Sequence, residues 1–212
     1  GVGFAVTSST GITGSTGSYT SSGSLSSGTV QFNYVNTYTG TTTVSGATLQ
    51  LRVAGAIPTT NNISVTGTSA TFDIYGYSPT YASVTITAGS IIDSVSTGSI
   101  AATSFNSSPG NAVTATISAV MTDAVGGARV LTIAGTGLSV VNATNTFTGG
   151  VVLSSGIFAP GSVDSLGSGF TNLTATAGTI TFSGGAVRIY ANTNAAADAL
   201  YARLKTPISN SY

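Results

Sequence analysis

Short runs in which apolar and hydroxyl residues alternate recur along the whole sequence. In Thr29–Tyr34 (TVQFNY) and Thr48–Val53 (TLQLRV), every second residue is apolar, which places these residues on one face of a β-strand. Thr and Val are β-branched and suit a pleated sheet. The other runs of this kind are Thr71–Tyr75, Ser83–Thr87, Ala112–Val120, Arg129–Ala134, Thr179–Ser183 and Ala186–Ala191. The pattern predicts an all-β protein built of short strands.

The spacing of the runs favours a β-solenoid. TVQF and TLQL start 19 positions apart (48 − 29), which is about one coil of a solenoid. A β-sandwich is the alternative, but sandwiches need hairpins, and the strongest hairpin dipeptides, Asn-Gly and Asp-Gly, are absent from the sequence. The middle, Asn61–Thr122, departs from the pattern, and two interpretations remain open for it: degenerate coils or a sandwich-like insertion.

Composition divides the chain into three parts. Residues 1–27 are rich in Gly, Ser and Thr with only isolated apolar residues, too sparse for a cap with its own core, and we expect this segment to be donated as a strand to a neighbouring subunit. Residues 28–193 form the predicted solenoid domain. Residues 194–212 form the C-terminal part. In it, Asn194–Lys205 has apolar residues at helical spacing, with Asn194 as a possible N-cap and Pro207 beyond its end. These signals predict a short C-terminal helix.

The chain is almost uncharged. Only 5% of its residues are charged, with five basic and five acidic side chains, whereas soluble domains carry about 25%. No basic patch is available to neutralise phosphates, so we expect no nucleic-acid partner. No apolar run reaches the ~18 residues of a membrane helix, so we expect no membrane span. A neutral surface of small hydroxyl residues lacks the self-repulsion that keeps proteins apart.

One short motif occurs twice. Asn36–Gly40 (NTYTG) and Asn145–Gly149 (NTFTG) lie 109 positions apart (145 − 36), and two short apolar runs follow each copy. Asn tolerates turn conformations, the aromatic residue can fill the inside of a corner, and Gly allows the chain to reverse. We therefore predict coil corners, with these structural positions: Asn36, Tyr38, Gly40, Asn145, Phe147 and Gly149.

The two copies resemble a known family. NTYTGTTTVSGATLQL is similar to the autotransporter-associated β-strand repeat of bacterial passenger domains, and NTFTGGVVLSSGIFAPGSVDSLGSG continues into the tail of that repeat with Leu166–Gly167. The sequence departs from the usual repeat at Thr41, where Gly is usual, and at Gly46–Ala47, where the order is usually Ala-Gly. The resemblance implies a right-handed parallel β-helix on a bacterial surface or secreted protein. It implies no chemistry, because the repeat is scaffolding.

The sequence predicts no catalytic, cofactor or metal site. His and Cys are absent, so the common Ser–His and Cys–His nucleophile pairs cannot form. The five Asp residues lie at least 20 positions apart, so a pair of the kind that glycosidases use would require stacking across coils. We expect instead that each Asp caps a turn. Isolated Asp residues would also be weak calcium ligands.

These observations predict a non-enzymatic structural protein. We expect it at a bacterial cell surface or in an extracellular fibre, exported by a signal that is not present in this chain. Its expected partners are copies of itself, joined head to tail through β-strand pairing into a homopolymer. The alternative is an adhesin or passenger segment that binds surface glycans.

Overall fold

The protein is described by a computed structural model. It describes the backbone of residues 4–7, 19–21, 28–161, 164–168, 180–182 and 186–187, and side chains within 28–161 and 164–168. The predicted C-terminal helix at Asn194–Lys205 lies outside the described residues.

The described residues form short β-strands. In chain order these are β1 (Phe4–Thr7), β2 (Tyr19–Ser21), β3 (Gly28–Phe32), β4 (Thr42–Val44), β5 (Thr48–Leu51), β6 (Asn62–Val65), β7 (Thr71–Asp73), β8 (Thr80–Tyr81), β9 (Ser83–Ile86), β10 (Gly89–Ile92), β11 (Ser99–Ala102), β12 (Phe105–Ser107), β13 (Thr114–Ile117), β14 (Val120–Asp123), β15 (Leu131–Ile133), β16 (Leu138–Val141), β17 (Val151–Leu153), β18 (Ile157–Pro160), β19 (Ile180–Phe182) and β20 (Ala186–Val187).

The strands stack into three parallel sheets. Sheet A has the order β1-β3-β5-β7-β10-β13-β16-β18-β20, sheet B has the order β2-β4-β6-β9-β12-β15-β17-β19, and sheet C is β8-β11-β14. The chain passes from sheet A to sheet B and back in every coil, and in the middle coils it visits sheet C on the way. The protein is therefore a β-solenoid, and the predicted fold class is confirmed. The β-sandwich alternative is wrong for the described residues, because every strand pair in them is parallel rather than an antiparallel hairpin.

The register of β3 and β5 is the one that the sequence spacing predicts. Thr29 pairs with Thr48 and Phe32 with Leu51, a step of 19 residues (48 − 29). Other coils are longer, and the step from Gly89 to Ala115 is 26 residues (115 − 89). The coils therefore keep their strands in register while the loops between the strands absorb the differences in length.

The core is a set of columns that run through the coils. One column on sheet A joins side chains in register from strand to strand: Leu49, Phe72, Ile91, Ile117 and Val141. All five are at most 3% exposed, because alternate residues of each strand point into the solenoid. Each coil thus buries its apolar face against the coils on either side of it, as stacked repeats do.

The middle of the chain consists of coils. Between β7 and β15, the corner that joins sheet A to sheet B is replaced by the short strands of sheet C. The run Ala112–Val120, predicted as one strand, is divided between β13 in sheet A and β14 in sheet C. The chain bends where the N–H groups of Ser118 and Ala119 both donate to the carbonyl oxygen of Ile91, at 2.8 and 3.3 Å.

The N-terminal segment contributes strands to the solenoid of its own chain. Phe4–Thr7 pairs with β3, and Tyr19–Ser21 pairs with β4. The described solenoid therefore begins before residue 28, and donation of residues 1–27 to a neighbour would require these strands to leave their places.

Candidate functional site at the coil corners

The two copies of the corner motif have the same pattern of burial. Asn36 and Tyr38 are 5% and 1% exposed, and Asn145 and Phe147 are 2% and 0% exposed, while the Thr residue between each pair is exposed. In each copy, alternate residues therefore face the interior. Both aromatic rings belong to the hydrophobic core.

Both asparagines join neighbouring coils. The Nδ2 of Asn36 donates to the carbonyl oxygen of Ala56, and the Nδ2 of Asn145 donates to that of Ser165, each 20 residues further on, at 2.5 and 2.9 Å. On its other side, Oδ1 of Asn145 accepts the backbone N–H of Met121 at 2.8 Å. An asparagine is suited to this position because its amide is both donor and acceptor. Each side chain thus satisfies backbone groups that the corner leaves without a strand partner.

Gly149 permits a close approach between coils. Gly149 does not adopt the left-handed conformation; it is required because a Cβ there would lie 2.4 Å from the carbonyl oxygen of Arg129. The left-handed residue is the next one, Gly150, with φ of 82°. In the first copy Thr41 stands at that position and is not left-handed. Gly40, which corresponds to Gly149 in the second copy, is half-buried. The two copies therefore differ in backbone conformation at this position.

The Leu166–Gly167 pair completes the second corner. Leu166 is fully buried, and Gly167 has φ of 88°. A Cβ on Gly167 would lie 2.9 Å from Cε2 of Phe147 and 2.4 Å from its carbonyl oxygen. The missing side chain at Gly167 thus lets its backbone approach the ring of Phe147 closely.

Three of the five aspartates hold turns in place, which confirms the prediction for these residues. Asp73 accepts the N–H of Tyr75, Asp93 that of Gly98, and Asp123 that of Arg129, at 2.9, 2.6 and 2.7 Å. Each carboxylate also reaches a neighbouring coil. Asp73 accepts the hydroxyl of Ser94, Asp93 the N–H of Gly76, and Asp123 the hydroxyl of Thr148. The carboxylates are thus occupied as acceptors between coils.

The hydrogen bonds to Asp93 change the pKa of its carboxyl group. Burial raises the pKa of Asp93, but hydrogen bonds from backbone N–H groups lower it by more, so the pKa lies below the ordinary value. The donors are Gly98, Gly76, Val95 and Ser96. A general acid in glycoside hydrolysis needs a raised pKa instead. Asp93 is therefore suited to hold a turn and not to donate a proton.

A ladder of polar side chains crosses three strands of sheet A. Nε2 of Gln31 donates to Oε1 of Gln50 at 3.0 Å, and Nε2 of Gln50 donates to Oδ2 of Asp73 at 2.8 Å. Beside this ladder, the guanidinium of Arg52 lies 4.2 Å from the centre of the Tyr75 ring. The sequence alone gave no signal for the ladder, because its members become neighbours only when the coils stack.

The tyrosines divide into buried and accessible ones. Tyr38 and Tyr81 are each 1% exposed, whereas Tyr34 is 45% exposed. The hydroxyl of Tyr38 bonds to Oγ1 of Thr42 at 2.5 Å, but that of Tyr81 has no partner among the described residues. Burial, and secondarily the proximity of Tyr38, raises the pKa of Tyr81. Core filling is thus the role of two tyrosines, and Tyr34 is available at the surface.

Comparisons with protein-family profiles, with curated proteins and with solved structures found no match to this chain. In the part of the chain that is described, no three His, Cys, Asp or Glu side chains come together as a metal-ligating group. Within the same residues, no helix is long and apolar enough to cross a membrane.

Proposed function

We propose that the protein is a non-enzymatic structural protein of a bacterial cell surface or extracellular fibre, which assembles head to tail through β-strand pairing. The observation that supports this proposal is the way the described sheets end. Sheet A ends in β1 and β20, and sheet B in β2 and β19, and in the described residues no further strand pairs with these four. Among the described strands, the outer edges of these four are thus rows of backbone donors and acceptors.

The chemistry of the chain supports assembly at these edges. Proteins keep open edges apart with charged residues, above all Lys, and this chain has one Lys and no Glu. The two ends present different strands, so their contact is heterologous and does not close on itself. Contact between one subunit's β1–β2 coil and the next subunit's β19–β20 coil would therefore generate a filament. Because β1 and β2 pair within their own chain, the proposed contact uses their outer edges and needs no exchanged strand.

Charging one end of the solenoid tests this proposal. Thr7 pairs in register with Gln31, and Thr20 with Thr43, so Thr7→Lys with Thr20→Lys adds two charges to the end coil. The matched control is Thr116→Lys with Thr132→Lys, which adds the same charge to half-buried positions in the middle of sheets A and B. We expect the wild type and the control to sediment as polymers and to form filaments in negative-stain images, and the end-coil variant to remain monomeric. A wild type that stays monomeric at high concentration would refute the proposal.

A glycan-binding adhesin is the second candidate. Tyr34, Arg52 and Tyr75 follow β3, β5 and β7 on successive coils, close in sequence to the Gln31–Gln50 ladder. Aromatic faces with planar polar neighbours are suited to sugars, and Tyr34 is accessible. This candidate predicts retention on a polysaccharide column that is lost in Tyr34→Ala, without cleavage of the polysaccharide. Equal retention of the variant would argue against it.

A further inference from the structure

One loop of the solenoid carries an unusually exposed apolar side chain. Residues 124–128 follow β14, and Val125 at their tip is 100% exposed, the highest value for a large hydrophobic residue in the described part of the chain. Gly126 and Gly127 turn the loop, with φ of 107° and 132°. Asp123 accepts the N–H of Arg129 at 2.7 Å, and Nη2 of Arg129 donates to the carbonyl oxygen of Val125 at 3.2 Å. The Val125 loop is therefore an anchored projection.

Elsewhere the solenoid has an open apolar cavity. It has a volume of about 180 Å³ and lies between the segments that follow β5 and β7. The side chains that make it apolar include Leu51, Val53, Ile57, Tyr77 and Pro79, and its lining contains no charged residue. We name it the Tyr77 cavity.

We propose that the Val125 loop of one copy inserts into the Tyr77 cavity of a second copy. An apolar cavity of about 150 Å³ holds a benzene molecule, so this one has room for the three carbons of a valine side chain. One acidic and one basic residue, Asp123 and Arg129, flank the loop, and the chain has no net charge, so no net like-charge repulsion opposes the approach. A second copy is the occupant that fits, since its projection is apolar and matches the uncharged lining.

The positions of the two features decide which kind of contact they form. The cavity lies at the corner where sheet A gives way to sheet C, whereas the Val125 loop lies where sheet C gives way to sheet B. Along the solenoid axis, the cavity and the loop are two to three strands of sheet A apart, and neighbouring strands are spaced ~4.8 Å. Two copies in contact would therefore be staggered along the axis by roughly 10–15 Å. Two different surfaces meet, so the contact is heterologous.

The small size of the contact indicates in which kind of assembly it is effective. One valine strengthens association by about ten- to one-hundred-fold, and its area is far below the ~1,200 Å² that a stable dimer needs. The contact becomes effective only when many copies repeat it. The inference, which rests on the proposed filament, is therefore that Val125 joins filaments side by side into bundles.

Cysteine cross-linking tests the contact directly, because the chain has no cysteine of its own. Val125→Cys is mixed under mild oxidation with differently tagged Ala54→Cys, which lies at the cavity. The control mixture replaces Ala54→Cys by Thr68→Cys, an exposed position on the other side of the coil, before β7. We expect the first mixture to form the mixed disulfide dimer about tenfold faster than the control. Equal rates would overturn the inference.

Imaging separates this inference from the filament proposal. Val125→Asp should give single filaments, whereas Ala128→Asp, which adds the same charge to an exposed position in the same loop, should still give bundles. If Val125→Asp bundles as the wild type does, the lateral contact is refuted and the filament proposal stands. If the wild type is monomeric but the cross-link forms selectively, the filament proposal and the bundling fail, and only the pairwise contact between the Val125 loop and the Tyr77 cavity stands.

Discussion

At the scale of single residues, the corner motif contains information that can be read from sequence and information that cannot. The burial of Tyr38 and Phe147 follows from their alternation with Thr and from the repetition of the motif. The bond from Asn145 to Ser165 does not, because the acceptor is a backbone carbonyl that any residue would provide. The close approach at Gly149 could not be predicted for a related reason: it involves the backbone of Arg129 in another coil.

The corner aromatics should be essential to stability. Truncation of a buried aromatic ring removes its burial energy and leaves a cavity, so Tyr38→Ala and Phe147→Ala should each lower the free energy of unfolding by about 3–5 kcal/mol. Tyr34→Ala is the control and should change it by no more than about 0.5 kcal/mol, because Tyr34 is 45% exposed. Chemical denaturation measures all three. If the two corner variants have the same free energy of unfolding as the wild type, the aromatic rings are not packed in the corners.

The two buried tyrosine hydroxyls should differ in their contribution to the stability of the fold. Tyr38→Phe removes the bond to Thr42 and should cost about 1 kcal/mol or more, whereas Tyr81→Phe removes a buried hydroxyl without a described partner and should leave stability unchanged or raise it. The substitution is identical in both variants, so each serves as the control for the other in a denaturation experiment. A larger loss in Tyr81→Phe would show that its hydroxyl is bonded.

At the scale of elements, the sequence predicted part of the strands, and β6, β10, β12 and β16 were not among them. Each of the eight alternating runs contains or overlaps a strand of the structure. In Ala112–Val120, however, burial continues to alternate through Ala115, Ile117 and Ala119 while the chain passes from sheet A toward sheet C. A pattern of period two therefore shows which residues face inward but not where the chain bends. The β14 strand of sheet C was missed for this reason.

The Asp93 turn should respond to acid. The folded-state pKa of Asp93 is lowered by hydrogen bonds from the turn, so its contribution to stability is present above the unfolded-state pKa and is lost as the pH falls through the folded-state pKa. Asp93→Asn should therefore be less stable than the wild type at neutral pH, and the difference should shrink as the solution is acidified. Urea denaturation at a series of pH values measures this. A difference that is constant with pH would contradict the assignment.

At the scale of the whole molecule, stacking creates features that no local pattern contains. The Gln31–Gln50–Asp73 ladder, the Tyr77 cavity and the position of the Val125 loop all depend on which coil lies beside which. The sequence did predict the solenoid and one exact step between coils. The steps of the longer coils vary with their loops, so the residues that meet across coils could not be derived from the spacing.

Assembly should depend little on salt. Only 5% of the residues are charged and the net charge is zero, so the proposed head-to-tail contact relies on backbone hydrogen bonds and apolar burial rather than on ion pairs. Raising the ionic strength from about 0.1 to 1 M shortens the screening length from about 10 to 3 Å and should change the critical concentration by less than about twofold. Light scattering measures it. A tenfold shift would show that charges control assembly.

The parallel register of the sheets has a mechanical consequence. The hydrogen bonds between coils run along the axis of the solenoid. Tension applied at its ends would therefore break the bonds of one coil at a time and detach the coils in sequence. Each coil that detaches would release one register step of chain, 19 residues between Thr29 and Thr48 and 26 between Gly89 and Ala115. At up to ~3.5 Å per residue these steps correspond to roughly 65 and 90 Å of extension. A filament of such subunits would lengthen under load in small stages and absorb work at each of them, in place of breaking at a single force.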